Sequence, residues 1–152
     1  MYEYILPLTV SLLLGMLLGL ERSFAGKNAG MRTYGLVSLG SCLFVIISLY
    51  VAQNYAGVYS FDPLRLSAGV VSGIGFLGAG LMISQADRVR GLTTATGLWV
   101  SCGIGMAVGF EMYAVATFAT ALALITLSIF TSVESKLQTV YKKGRGVEEI
   151  ER

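Results

Sequence analysis

Five long stretches of the chain carry no charged residue: Tyr4 to Leu20, Thr33 to Phe61, Leu66 to Ala86, Gly91 to Phe110 and Met112 to Val133. Each can supply the ~20 apolar residues that cross ~30 Å of hydrocarbon at ~1.5 Å per residue, the first only just. The pattern predicts an all-α membrane protein, a bundle of about five transmembrane helices over residues 4–20, 34–54, 63–85, 91–110 and 112–133. Residues 1–133 then form the transmembrane domain, and 134–152 are left as a charged cytoplasmic tail. The first run is read as a retained helix and not a signal peptide, because MYEY lacks a basic region and no small-residue cleavage site precedes GLERS.

The polar and small positions inside these runs have their own order. Ser11, Gly15 and Gly19 recur every four residues along one face of the first helix, and Arg22 falls on that face. Asp62 and Pro63 make an N-cap and first-turn proline for the third helix. In that helix Gly69, Ser72, Gly73 and Gly80 lie on one face, Ala68, Gly75 and Ala79 on a second, and Gly78 on a third. The fourth helix repeats the device with Gly97, Ser101, Gly105 and Gly109. In lipid, helices associate largely through close backbone approach at small residues. The expectation is therefore that the Gly-rich third and fourth helices are central and cross closely, with the second and fifth peripheral. Gly73, Gly75 and Gly78 also match a G-x-G-x-x-G spacing, but no strand precedes them and Leu98 stands where an acidic residue is needed.

Composition sharpens this picture. Of 152 residues, 55% are hydrophobic and only 13% charged, about half the usual charged fraction of ~25%. Basic residues mark the cytoplasmic side of membrane proteins. With the N-terminus outside, ten of the eleven Lys and Arg residues fall inside: Arg22, Lys27 and Arg32 in loop one, Arg88 and Arg90 in loop three, and five in the tail. Only Arg65 faces out, so an external N-terminus and a cytoplasmic C-terminus are expected.

Chemistry has few places to sit. Histidine is absent, which removes the commonest general base and metal ligand. Cys42 and Cys102 have no metal-ligand spacing and read as packing residues within spans. No span carries a deep ionisable residue, and no catalytic motif occurs, so no enzymatic activity and no cofactor are expected. What remains is a polar cluster at the cytoplasmic mouth: Glu21, Arg22, Arg32, Thr33, Asp87, Arg90, Thr93 and Thr94. Glu21 directly follows apolar sequence at a helix C-terminus, where a carboxylate is costly and wrongly signed for the dipole. Arg22, Arg32 or Arg90 should compensate it. The alternative reading of these residues is ordinary loop charge with helix capping.

Three blocks carry a closer resemblance: GLERSFAGKNAGMRTYGLVSLGSCLF (19–44), VVSGIGFLGAGLMI (70–83) and VRGLTTATGLWVSCGIGMAVG (89–109). On these the chain closely resembles the MgtC/SapB family of bacterial inner-membrane proteins. The resemblance emphasises Glu21, Arg22, Gly30, Arg32 and Thr33, then Gly73, Gly75, Gly78 and Gly80, then Arg90, Gly91, Thr93, Thr94 and Trp99. It implies a multi-pass protein of the bacterial inner membrane linked to magnesium homeostasis and, in some pathogens, to survival inside host cells; known members regulate other membrane proteins, including the ATP synthase. Members named MgtC carry a soluble domain after the last span, where this chain has about nineteen charged-tail residues.

Two functions follow as expectations. The first is a non-enzymatic regulator whose small-residue faces bind a second copy or another membrane protein. The second is a transporter or channel for a cation, Mg2+ or H+, with Glu21 and Asp87 at its cytoplasmic mouth and backbone carbonyls along its path. Nucleic acid is not an expected partner; the lipid bilayer is.

Overall fold

The computed structural model of the chain describes residues 2–55, 62–85 and 88–129. Asp87, the end of the fifth predicted span and the tail 134–152 lie outside these residues. The described chain contains α1 (Tyr2–Phe24), α2 (Met31–Asn54), α3 (Pro63–Leu81), β1 (Ile83–Gln85), β2 (Arg88–Arg90), α4 (Leu92–Gly109) and α5 (Tyr113–Ile129). The first four helices are long and apolar enough to cross a membrane, and α5 is a shorter apolar helix over its 17 described residues.

Local chemistry sets most helix ends. The Asp62 side chain accepts a hydrogen bond from the Leu64 amide at 2.9 Å, and Pro63 fills the first helical position of α3. Ser23, in the last turn of α1, donates to the Gly19 carbonyl and accepts from the Met31 amide across loop one, so one hydroxyl closes α1 and opens α2. α1 continues to Phe24 and α2 starts at Met31, so Glu21, Arg22, Arg32 and Thr33 all stand on helix and not in a loop.

The third span ends earlier than the apolar run suggests. α3 stops at Leu81, and Ile83–Gln85 pairs antiparallel with Arg88–Arg90, Ser84 opposite Val89. Residues 82–85 are uncharged, yet Ser84 and Gln85 bring polarity and Ile83 β-branching that suit a short strand better than a further helical turn. The hairpin returns through Gly91, whose φ of +89° is left-handed. A β-carbon there would also collide with the Leu81 carbonyl, so glycine is required twice over.

The centre of the bundle differs from the expectation at α3, whereas α4 touches α1, α2 and α3. α1, α2 and α4 pack on one another, with α3 to one side against α2 and α4. A β-carbon on Gly15 would stand 2.7 Å from both Ser38 Cβ and the Tyr34 carbonyl oxygen, and one on Gly105 would overlap the Ser38 carbonyl. The backbones of α1 and α4 thus touch α2 from two sides at one level. Gly19 meets Gly30 and Met31 in the same way, and Gly109 meets Val45. By contrast Gly69, Gly73, Gly75 and Gly80 on α3 face nothing within 4 Å, and Gly78 has only Ala95 at 3.5 Å. α5 completes the core by placing Ala116, Thr120 and Leu127 inward.

These contacts predict unequal costs for similar changes. Gly105→Val should lower the thermal-unfolding midpoint of the detergent-purified protein by an amount corresponding to at least about 1–3 kcal/mol, because the α2 backbone cannot yield. Gly73→Ala, with open space around it, should leave the midpoint unchanged or raise it. Equal effects at the two sites would refute this packing of the core.

Candidate functional site at the basic end of the bundle

α1 buries the face that carries Ser11, Gly15, Leu18, Gly19 and Arg22. The helical repeat therefore carries a guanidinium into the protein interior at the last turn, where Arg22 is only 1% exposed. Adjacent helical residues point ~100° apart. The long Arg22 side chain nevertheless folds back onto Glu21 in a two-point pair, Nε to Oε2 and Nη2 to Oε1, the latter at 2.5 Å. Nη2 also donates to the Leu127 carbonyl on α5 at 3.2 Å. Glu21, which is wrongly signed for the α1 dipole, is thus neutralised by its neighbour, and Arg22 itself is rightly signed there. The pair also ties the end of α1 to α5.

The predicted polar cluster divides into separate groups. Arg32 and Thr33 are exposed in the first turn of α2, at one end of a groove of about 650 Å³ between α2 and α3. Arg90 is exposed at the end of β2, and Thr93 is exposed on α4. Among the described residues neither Arg32 nor Arg90 forms an ion pair with Glu21. Thr94 is buried, and its carbonyl accepts a hydrogen bond from the Tyr34 hydroxyl at 3.2 Å. Neither α2 nor α4 receives a side-chain N-cap; glycines, Gly30 and Gly91, hold those positions. Among the described residues no three His, Cys, Asp or Glu side chains converge as a metal site would need. Trp99 points outward and is 57% exposed.

Residues that no sequence motif singles out form a buried polar seam along α2. Tyr34, Ser38, Ser41 and Ser48 are all buried, with Cys42 and Val45 between them. The Ser101 hydroxyl donates to the Tyr34 carbonyl at 2.9 Å, and the Ser41 hydroxyl lies 3.1 Å from Cys102 Sγ. Gly97 lies against the Tyr34 ring and hydroxyl. The four positions advance by four, three and seven residues, the spacing of one helical stripe, and that spacing is the signal the sequence holds for them. The Ser38 hydroxyl is wholly buried without a hydrogen-bond partner among the described residues. At the opposite end, Glu3 and Glu111 line a polar cavity of about 290 Å³ with Gln53. Glu111 occupies the tight α4–α5 turn at a φ of 61°.

Breaking one side of the Glu21–Arg22 pair should cost more than removing both. Glu21→Gln leaves the deeply buried guanidinium unpaired and should cost about 3 kcal/mol. Arg22→Gln leaves a carboxylate with 16% side-chain exposure, which water can reach, and should cost less. The double variant should recover much of the loss. Chemical denaturation in detergent measures all three, and additive losses in the double variant would show that the two charges are not coupled.

The MgtC family model matches residues 8–136. The "Putative magnesium transporter YhiD" of Escherichia coli (strain K12) is 37% identical over 140 residues, which cover 89% of this chain and 64% of that protein. "Protein MgtC" of Salmonella typhimurium (strain LT2) is 41% identical over 124 residues, covering 82% of this chain and 51% of that protein. An "Uncharacterized protein" of Haemophilus influenzae is 38% identical over 129 residues, 82% of this chain and 54% of its own length. The chain thus spans between about half and two-thirds of the length of these relatives. No solved structure matches. With four apolar membrane-length helices, a family match across most of its length and relatives near 40% identity, the chain is a multi-pass membrane protein that belongs to the MgtC family.

Proposed function

We propose that the protein is a non-enzymatic regulator in the bacterial inner membrane, linked to magnesium homeostasis and membrane energetics, which acts by docking a second copy or another membrane protein against α3. One observation carries this reading. Ala68, Ser72, Gly75 and Ala79 follow one another at intervals of four, three and four residues, and all four are exposed. Elsewhere in the bundle small residues at this spacing are consumed by helix crossings, as Gly15 and Gly105 are at Ser38. Small residues weaken a helix's packing on lipid and favour close approach of another helix. A stripe left open on α3 therefore suits a partner helix. The charge count supports an external N-terminus and a cytoplasmic C-terminus, which puts Arg22, Arg32 and Arg90 on the cytoplasmic side.

The competing reading is a Mg2+ or H+ pathway. It draws on the printed name of the Escherichia coli relative and on the buried hydroxyl seam of α2. Mg2+ keeps several waters and binds through carboxylates, and the tight contacts of α1 and α4 on α2 leave little room for a hydrated ion.

The two readings separate in one pair of measurements. Crosslinking in native membranes should trap a partner or second copy, and Gly75→Leu should abolish the product while the purified variant keeps its unfolding midpoint. Sealed vesicles containing the wild-type protein should show no Mg2+ or H+ flux above protein-free vesicles. A monomer with no trapped partner, together with flux, would overturn the regulator in favour of the transporter.

A further inference from the structure

The groove between α2 and α3 lies on a different side of α3 from the small-residue stripe and has a different character. Its walls are aliphatic and aromatic, from Leu36 to Phe44 on α2 and from Leu66 to Leu77 on α3. Gly40, Gly69 and Gly73 leave it open: a β-carbon at any of them meets nothing within 4 Å. At one end stand the exposed Arg32 and Thr33.

Dimensions and charge identify what fits. From Arg32 to Phe44 the helix rises ~18 Å, at ~1.5 Å per residue. One leaflet contributes about half of the ~30 Å hydrocarbon thickness, or ~15 Å. The groove therefore runs from the headgroup level to about the bilayer midplane, the reach of a single acyl chain. Arg32 has no carboxylate partner among the described residues, and Glu21 is already taken by Arg22. In sequence, residues 21–32 and 87–90 hold five basic residues and two acidic ones, so this end of the bundle carries a net positive charge. A guanidinium beside a hydroxyl is a donor set for phosphate oxygens. A protein helix would have to bring its own anionic group to Arg32 and would be poorly served by a slot one leaflet deep.

We propose that the α2–α3 groove is a binding site for an anionic phospholipid of the leaflet at the basic end of the bundle, with the phosphate on Arg32 and Thr33 and an acyl chain along Leu36, Phe44 and Leu77. The site is separate from the α3 stripe, so it stands or falls apart from the regulatory reading.

The test is native mass spectrometry of the full chain released from nanodiscs that contain equal amounts of phosphatidylglycerol and phosphatidylcholine. The wild type should retain phosphatidylglycerol over phosphatidylcholine by about tenfold. Arg32→Gln, a change at an exposed side chain, should bring that ratio near unity, whereas Arg90→Gln, at the same end but outside the groove, should leave it in place. Gly73→Leu, which fills the groove, should reduce retention of both lipids several-fold. A photoreactive side chain at position 77 should crosslink to lipid. Equal retention of the two lipids, or an equal effect of Arg32→Gln and Arg90→Gln, would overturn the proposal. So would a crosslink from position 77 to a second copy of the chain or to another protein.

Discussion

The contact on which the rest of the bundle depends is the approach of three helix backbones at Ser38. Gly15 of α1, at the Ser38 β-carbon and the Tyr34 carbonyl, and Gly105 of α4, at the Ser38 backbone, touch α2 there from two sides. In a bilayer the hydrophobic effect does not distinguish a helix packed on a helix from a helix packed on lipid. Close packing and interhelical hydrogen bonds must supply the difference. Tight approach makes short bonds available, and the structure uses them: Ser101 to the Tyr34 carbonyl and Tyr34 to the Thr94 carbonyl both join α2 to α4. In membrane proteins such bonds average only ~0.6 kcal/mol each. Their number along one seam, and the dispersion attraction between backbones held so close, count for more than any single bond.

The same three-helix centre fixes the basic end. Because α1 presents Ser11, Gly15 and Gly19 to α2, its repeat carries Arg22 inward at the last turn. A buried guanidinium needs a counter-charge and an acceptor. Glu21 gives the first from the neighbouring position, and the Leu127 carbonyl gives the second from α5. The G-L-E-R sequence thus fastens the fifth helix as a consequence of how the first two pack. Arg32, one helix further on, has no such duty and stays at the surface.

The sequence made the long helices legible, because charge segregation into short loops has few other causes. The face of α1 was also readable, as was the start of α3 at Asp62 and Pro63. The arrangement was not. α2 looked peripheral because it mixes small and bulky residues; the bulky Leu36, Leu43, Phe44 and Ile47 face outward, while Tyr34, Ser38, Ser41 and Ser48 form the buried seam. In a soluble helix the apolar face points in, but in lipid that reading inverts when the neighbours meet through small polar residues. α3 looked central because it has small residues all round. Small residues permit close approach without dictating which helix approaches, and on α3 only the side of Ser67, Ile74 and Gly78 is covered, by α2 and α4. The division of the polar cluster was equally hidden, since charges that fall together in sequence do not reveal which of them turn inward.

The inner and outer surfaces of α3 then acquire a common explanation. Ile74 is buried against the bundle, while Phe76 is 81% exposed and a β-carbon at Gly73 or Gly75 would meet nothing within 4 Å. Glycine in a helix interior costs up to ~1 kcal/mol relative to alanine. Gly15, Gly19, Gly97 and Gly105 offset that cost within the chain, through contacts that a β-carbon would prevent. Gly69, Gly73, Gly75 and Gly80 do not, so any offset has to come from outside the described residues. Two such sources differ in what they need. An acyl chain needs an open slot and a cation at the headgroup level, which the Gly69 and Gly73 side provides with Arg32. A helix needs a continuous strip of small residues, which Ala68, Ser72, Gly75 and Ala79 provide. Of the four membrane-length helices α3 is the least buried among the described residues, and its two free sides suit the two occupants proposed for them, a lipid and a partner helix.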